Sequence, residues 1–365
     1  MEDKLLKNEE KAIFALRSLY RAYGYLPFKM SKFEEYELYA RNKDFLVSDR
    51  IITFNDTNGK LMALKPDVTL SIIKNTTDAK GVKQKVFYNE NVYRVSARTH
   101  QYKEIMQAGL ECVGDIDSYD LFETVLLAAK SLELISADFV LDVSHLGILT
   151  AVLDEMSVGE GFRREAAVCI AGKNRHDLLR LCNGEGISSE QAQKLLAFID
   201  IYGNMDQVLE RLAPLCESSS AKEALGQLQT LASLLKNTPY AARIRFDFSI
   251  VNDMNYYNGV VFRGFLAGIC EGVLAGGQYD KLLRRMGRKS GAVGFALYLD
   301  LLEELQDKRD NYDVDVLILC GENADPAETA RIAGELIADG SCVSVQKAIP
   351  EKLRYRRLLD LREGD

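Results

Sequence analysis

A change of period along the chain limits the fold more than any other feature. Between residues 45 and 113, short apolar runs at 51–55, 62–64, 86–95 and 105–113 are separated by turn residues such as 56–59, the pattern of an antiparallel sheet. Helical spacing takes over on both sides. Residues 9–23 set Ala12, Ile13, Ala15, Leu16, Leu19, Tyr20 and Tyr23 on one stripe, Gly24 supplies a stop, and Pro27 forces an extended segment. Asp117 and Ser118 offer an N-cap to a helix whose apolar face holds Leu121, Val125, Ala128, Ala129 and Leu132. Sheet and helices therefore occur in blocks, which defines an α+β chain.

Residues 146–237 carry helical spacing with polar punctuation at 183–189 and 217–220, and read as a helical insertion. Strand character returns at 243–251 and 260–266. Asn258-Gly259 stands between them, a dipeptide suited to a tight hairpin because both positions tolerate positive φ. A turn at Ala275-Gly276-Gly277 precedes a helix from Tyr279, and 291–305 begins as a strand and continues as a helix. The stretches 314–320, 326–338 and 342–345 read as strand, helix, strand, a minimal or incomplete α/β unit. The expected division is 1–145 and 238–310 as two parts of one core, 146–237 as the insertion, and 311–365 as a short C-terminal α/β segment.

Composition removes several classes of function. The 46 Lys and Arg against 54 Asp and Glu give a net charge of −8, which argues against a general nucleic-acid coat. The basic cluster Arg284, Arg285, Arg288 and Lys289 reads as a solvated helix face. No run approaches the roughly 18 apolar residues of a membrane span. The opening MEDKLLKNEE is too charged for a secretory signal, so the expected location is cytoplasmic. Seven cysteines, at 112, 169, 182, 216, 270, 320 and 342, fit neither a disulfide framework nor zinc spacing and are taken as core thiols. His100, His145 and His176 form no local metal motif. Gly184-Glu185-Gly186 lacks the third glycine of a dinucleotide turn and no GxxxxGK[ST] occurs, so no cofactor is expected.

Three segments carry candidate chemistry. In 104–113 a strand sends Met106, Ala108, Leu110 and Cys112 inward and Gln107, Gly109 and Glu111 to the other face. Glycine between the amide and the carboxylate leaves open space for a polar ligand. Gln107 and Glu111 stand roughly 13 Å apart, a span that suits an amino acid. Alone, this is a half-exposed strand with solvated polar residues. Leu64-Lys65-Pro66-Asp67-Val68-Thr69 presents a carboxylate and a hydroxyl after a proline, and alone is an ordinary turn. Asn255-Tyr256-Tyr257-Asn258-Gly259 puts adjacent tyrosines on opposite faces, one for the core and one as a ring wall.

In order, these segments resemble the catalytic core of class II histidyl-tRNA synthetases over roughly residues 5–305. FEEYELY resembles the end of motif 1, LMALKPDVTLSIIK the histidine-contacting LRPEGT segment, and VYRVSARTHQYKEIMQAGLECVG motif 2 with its following strand. NYYNGVVF, AGGQYDKLL and GAVGFALYLDLL resemble the tyrosine segment, the GGRYD loop and motif 3. The resemblance implies a class II synthetase-like antiparallel sheet flanked by helices and a homodimer formed through the motif 1 region. It places Asp67, Thr69, Gln107, Glu111, Tyr256 and Tyr257 on histidine-recognising positions, and Gly276, Gly277 and Tyr279 of the GGRYD-like loop are expected to bind histidine with them. Arg94 falls on the motif 2 arginine, which contacts the α-phosphate and substrate carboxylate.

The departures from that family concern ATP. Adenylate formation needs cations around a triphosphate, where charge builds in the transition state. This chain has Asn252, followed by Asp253, in place of the arginine of RGLDYY, and Leu301 in place of the motif 3 arginine. Ser96 replaces the motif 2 acid and Gln278 the arginine of GGRYD. Losing one such donor costs roughly 10² to 10³ in rate, so the combination implies lost synthetase chemistry. A histidine site without that chemistry resembles the regulatory subunits of ATP phosphoribosyltransferase. That resemblance implies no catalytic residues and histidine as effector. It also implies a hetero-oligomer with the short-form catalytic subunit, which joins ATP to phosphoribosyl pyrophosphate, and no tRNA partner. The alternative is a divergent histidyl-tRNA synthetase.

Overall fold

A computed structural model describes residues 8–42, 51–96, 99–251, 256–305, 312–322 and 324–362. Asn252, Asp253 and Asn255 lie outside the described residues. The chain divides into two compact units, one spanning Asn8–Glu304 and one continuing from Leu305.

The larger unit begins with α1 (Asn8–Ala22), β1 (Leu26–Pro27), β2 (Phe33–Glu35), α2 (Tyr36–Ala40), β3 (Thr53–Asn55), β4 (Leu61–Leu64) and α3 (Thr69–Asn75). The long strands β5 (Lys83–Val95) and β6 (Tyr102–Gly114), then α4 (Ser118–Ile135) and β7 (Phe139–His145), follow. Next come α5 (Leu146–Glu155), α6 (Glu160–Ala171), α7 (Arg175–Gly184), α8 (Ser189–Asp200), β8 (Tyr202–Gly203), α9 (Met205–Leu212) and α10 (Ser219–Leu235). The unit closes with β9 (Ile244–Asp247), β10 (Val260–Leu266), β11 (Leu274–Gln278), α11 (Asp280–Arg285) and β12 (Gly291–Tyr298).

Nine strands form one sheet in the order β1-β5-β6-β12-β11-β10-β7-β9-β8. Its pairings are antiparallel except β1 with β5 and β7 with β9. A small antiparallel sheet, β2-β4-β3, accompanies it. One face of the large sheet is apolar. There Tyr20 of α1 packs 5.9 Å from the Phe87 ring and 6.1 Å from Phe295, and Phe262 lies 6.2 Å from Phe295. Helix α4 covers the same face: Leu132 lies against Gly264, where an added Cβ would come within 2.7 Å of it. The start of α4 is set locally. Asp117 accepts from Tyr119 N and Asp120 N, and Asp120 Oδ2 accepts from Asp117 N at 2.9 Å, a reciprocal capping box.

Two expectations change. Residues 258–259 make no hairpin, because β7 lies between β9 and β10 in the sheet. Gly259 instead packs against β11: an added Cβ would fall 2.2 Å from the Gln278 side-chain Oε1, and Asn258 N donates to Gln278 O at 2.9 Å. The helix expected after β12 is present as a 3-10 helix (Leu299–Glu304). The cysteines are not all core thiols, since Cys270 and Cys342 are exposed and Cys169 and Cys320 are half-buried.

The second unit has β13 (Val314–Leu319), α12 (Pro326–Ala338), β14 (Val343–Gln346) and β15 (Tyr355–Asp360). Strand β13 is central and pairs in parallel with both others. The sequence reading did not contain β15, whose YRRLLD has no alternating pattern.

Candidate functional site

The opposite face of the nine-stranded sheet is polar at its centre and is nevertheless buried. Register explains which groups meet there. Glu111 of β6 pairs with Gly294 of β12, Gly294 with Gly277 of β11, and Gly277 with Val261 of β10. Paired residues share a face, so Glu111 lies over a floor with two adjacent positions lacking side chains. The first glycine is obligatory: a Cβ at Gly294 would lie 1.7 Å from Glu111 Oε2. At Gly277 an added Cβ would approach Tyr257 Cδ1 to 2.9 Å.

Three segments converge on Glu111, which is 2% exposed. Thr69, the first residue of α3, donates through Oγ1 to Glu111 Oε1 at 2.8 Å. Tyr279 donates through its hydroxyl to Oε2 at 2.5 Å. Asp67, also buried, accepts from Leu70 N at 2.9 Å and so stands in the turn opening α3. The Tyr256 ring lies 4.7 Å from Tyr257 and 5.8 Å from Tyr279, and its hydroxyl hydrogen-bonds Thr69. The two tyrosines thus touch each other and do not face opposite ways. Tyr256 sits with Tyr39, Leu70, Tyr279 and Leu282 in one apolar cluster, while Val68, Ile72, Tyr88 and Val92 form another.

Burial pushes the Glu111 carboxyl up to about 8, against the pull of the Tyr279 and Thr69 hydrogen bonds and with the help of the Asp67 charge. Burial also raises Asp67, opposed by the Leu70 N–H and by the Arg94 guanidinium. The phenols of Tyr88, Tyr256 and Tyr279 are driven well above their ordinary range by burial and stay protonated. Two carboxyl groups with neutral hydroxyls, and few opposing cations, favour a ligand carrying N–H donors or a positive charge.

Most of the residues singled out in the sequence meet at this place. Gln107 is buried on the Glu111 face, four residues back along β6. Arg94 is half-buried and donates through Nε to Pro66 O at 3.0 Å, beside Asp67. Gly276 does not join them. It pairs with Phe295 and Phe262, and an added Cβ there would meet Phe295 Cβ at 2.4 Å on the core face. The open space expected above Gly109 is filled, because Tyr88 pairs with Gly109 and its hydroxyl would lie 2.5 Å from an added Cβ. Tyr88 and Gly294 were absent from the sequence-derived set. Gly294 had a signal, a glycine inside a strand with no turn around it. Gln278 is tied to Asp280 at 2.8 Å, and Leu301 is half-buried in the 3-10 helix. A groove of about 490 Å³ lined by Val168, Cys169, Arg180 and Leu181 contains none of these residues. Among the described residues no cluster of His, Cys, Asp and Glu could hold a metal ion, and no helix is long and apolar enough to cross a membrane.

A large, mostly antiparallel sheet built on the long β5–β6 pair, one face cradling polar groups from a proline-led turn and a tyrosine segment, is the class II aminoacyl-tRNA synthetase fold. Within that class the chain belongs to the histidyl-tRNA synthetase family, whose sequence model matches residues 2–302. A curated relative from Oceanobacillus iheyensis, 28% identical over 82% of this chain and 74% of its own, is named ATP phosphoribosyltransferase regulatory subunit. The fold is shared with a Bacillus halodurans protein described as an ATP phosphoribosyltransferase regulatory subunit/histidyl-tRNA synthetase. That structure has a TM-score of 0.74 and 22% identity, over 98% of this chain and 95% of the other. It is shared also with a chain of the ATP phosphoribosyl transferase (HisG:HisZ) complex from Thermotoga maritima, with a TM-score of 0.62 and 19% identity, over 80% and 97%.

Proposed function

We propose that this chain is a non-catalytic, cytoplasmic regulatory subunit of ATP phosphoribosyltransferase that binds histidine at the Glu111 site. In this reading Glu111 and Asp67 take the imidazole N–H and the α-ammonium, Gln107 adds a neutral hydrogen bond, Arg94 holds the carboxylate, and Tyr256, Tyr257 and Tyr279 enclose the ring. The observation that carries it is the buried carboxyl of Glu111, bonded on both oxygens and floored by Gly294 and Gly277. The names of the curated relatives support the same reading, as do Leu301 and Gln278 where adenylation requires cations. Histidine acts by binding two arrangements of a complex with the short-form catalytic subunit with different affinity, and the coupling is reciprocal. The chain itself forms a homodimer within that complex.

The test is co-purification with the short-form catalytic subunit, followed by phosphoribosyl-ATP formation with and without this chain and with added histidine. The expected result is stable association, faster turnover, and loss of that gain with histidine. No association and no effect on turnover would sink the proposal. Membership in the histidyl-tRNA synthetase family supports one rival, a divergent synthetase. Pyrophosphate exchange dependent on histidine and ATP separates the two, since measurable exchange requires the cations that Leu301 and Gln278 do not supply.

A further inference from the structure

Lys65 lies beside the site in a place where a lysine is seldom found. Its side chain is wholly buried, and its Nζ sits 2.9 Å from Glu90 Oε2. The backbone around this pair is fixed from several directions. Lys65 N donates to Lys32 O at 3.0 Å, Tyr93 N donates to Lys65 O at 2.8 Å, and Met30 N donates to Glu90 Oε1 at 3.4 Å. The next carbonyl, that of Pro66, accepts from Arg94. Asp67 and Thr69 follow at once. Glu90 stands opposite Gln107 in the β5–β6 register, so the ion pair borders the face that carries Glu111.

Glu90 is half-buried, and an ion pair this far removed from water is weak evidence of stability. Removing both charges from water costs about as much as their attraction returns, and replacing both partners with apolar side chains is often neutral or stabilising. What the pair does provide is directional geometry: one ammonium, one carboxylate, and a single arrangement of the chain that satisfies both. We propose that Lys65 and Glu90 are positioning residues for the ligand site. The pair pins residues 64–69 onto β5 so that Thr69 reaches Glu111 and Asp67 faces the ligand, without either partner touching the ligand itself. This rests on reading the site as histidine-binding.

The test uses the full chain, with calorimetric titration of histidine and a thermal melt for the wild type, Lys65→Met/Glu90→Met and Glu90→Gln. The double variant is expected to melt at or above the wild-type temperature yet bind histidine about tenfold more weakly or worse, because small misplacements of a positioning segment are costly. A folded double variant with wild-type affinity overturns the proposal. Should that variant not fold, Glu90→Gln, which keeps the shape and one acceptor, decides: weakening of about threefold or more supports the role, and unchanged affinity overturns it. A wild-type chain that binds no histidine overturns the reading of the site and this proposal with it. Binding by the wild type that the variants match overturns the positioning role alone.

Discussion

Between Gln107 and Cys112 the two faces of β6 are equally dry and chemically opposite. On one, Ala108, Leu110 and Cys112 are buried among Phe87, Phe295 and the helices α1 and α4. On the other, Gln107 and Glu111 are buried to the same degree, among hydroxyls and a second carboxyl. Apolar burial releases roughly 1.5–3 kcal/mol per large side chain and needs no further explanation. Burial of a carboxyl is unfavourable until hydrogen bonds or a ligand offset it. The first face therefore holds the fold together, and the second is held together by the fold. Exposure alone does not tell these roles apart, whereas substitution does.

The largest effect separates them directly. Leu110→Ala is expected to lower stability by about 2–5 kcal/mol while the folded fraction binds histidine normally. Glu111→Gln is expected to weaken histidine binding by about 10- to 100-fold, the loss of a charge-assisted contact, with stability unchanged or raised. Thermal melts and titration calorimetry on both variants read this out. If Leu110→Ala lost affinity at temperatures where it remains folded, the division between the faces would collapse.

A second difference is in pH. Burial raises Glu111 to about 8, so between the ordinary carboxyl range and about 8 the folded chain keeps a proton that the unfolded chain has released. Stability of the free protein must then fall as pH rises through that window and level off above it, with Asp67 acting in the same direction. Melting should thus be higher near pH 5 than near pH 8, and Glu111→Gln should flatten the slope. A cationic ligand needs the carboxylate, so if histidine occupies the site as proposed, its binding is expected to release a proton and to tighten as pH rises toward 8. Calorimetry in two buffers of different ionisation enthalpy measures that proton, and identical heats would exclude it.

The sequence reveals the two faces unevenly. Period and capping locate α1, α4 and α12, because a stripe of apolar residues and an Asp at the N-cap are local signals. Alternation separates Leu110 from Glu111, yet it cannot say that both sides of the strand are covered. That depends on α3 and the tyrosine segment, from positions more than forty residues away. Neighbouring glycines show the same limit. Gly276 and Gly277 look alike in the sequence, but the pairing of β11 with β12 sends one to the core and the other to the site. For the same reason nothing local in the sequence pairs Lys65 with Glu90, since only the docking of residues 64–69 against β5 brings them together.

Tyr88 sharpens the comparison with the smallest change. It is a buried aromatic ring, as a core residue would be, and it packs with Val68, Ile72 and Val92. Its hydroxyl, however, makes a long 3.4 Å bond to Phe295 O over Gly109 and feels the charges of Glu111 and Asp67. Tyr88→Phe keeps the ring and removes one weak donor. If Tyr88 belongs to the core in substance, stability drops by no more than about 1 kcal/mol and affinity does not move. If its hydroxyl completes the polar face, histidine affinity falls by about two- to fivefold while the melting temperature holds. We expect the second result, because a bond of that length satisfies a buried phenol poorly and leaves it free to turn toward a ligand acceptor. Equal affinity for wild type and variant would return Tyr88 to the core and narrow the polar face to Asp67, Thr69, Gln107, Glu111 and the tyrosines above them.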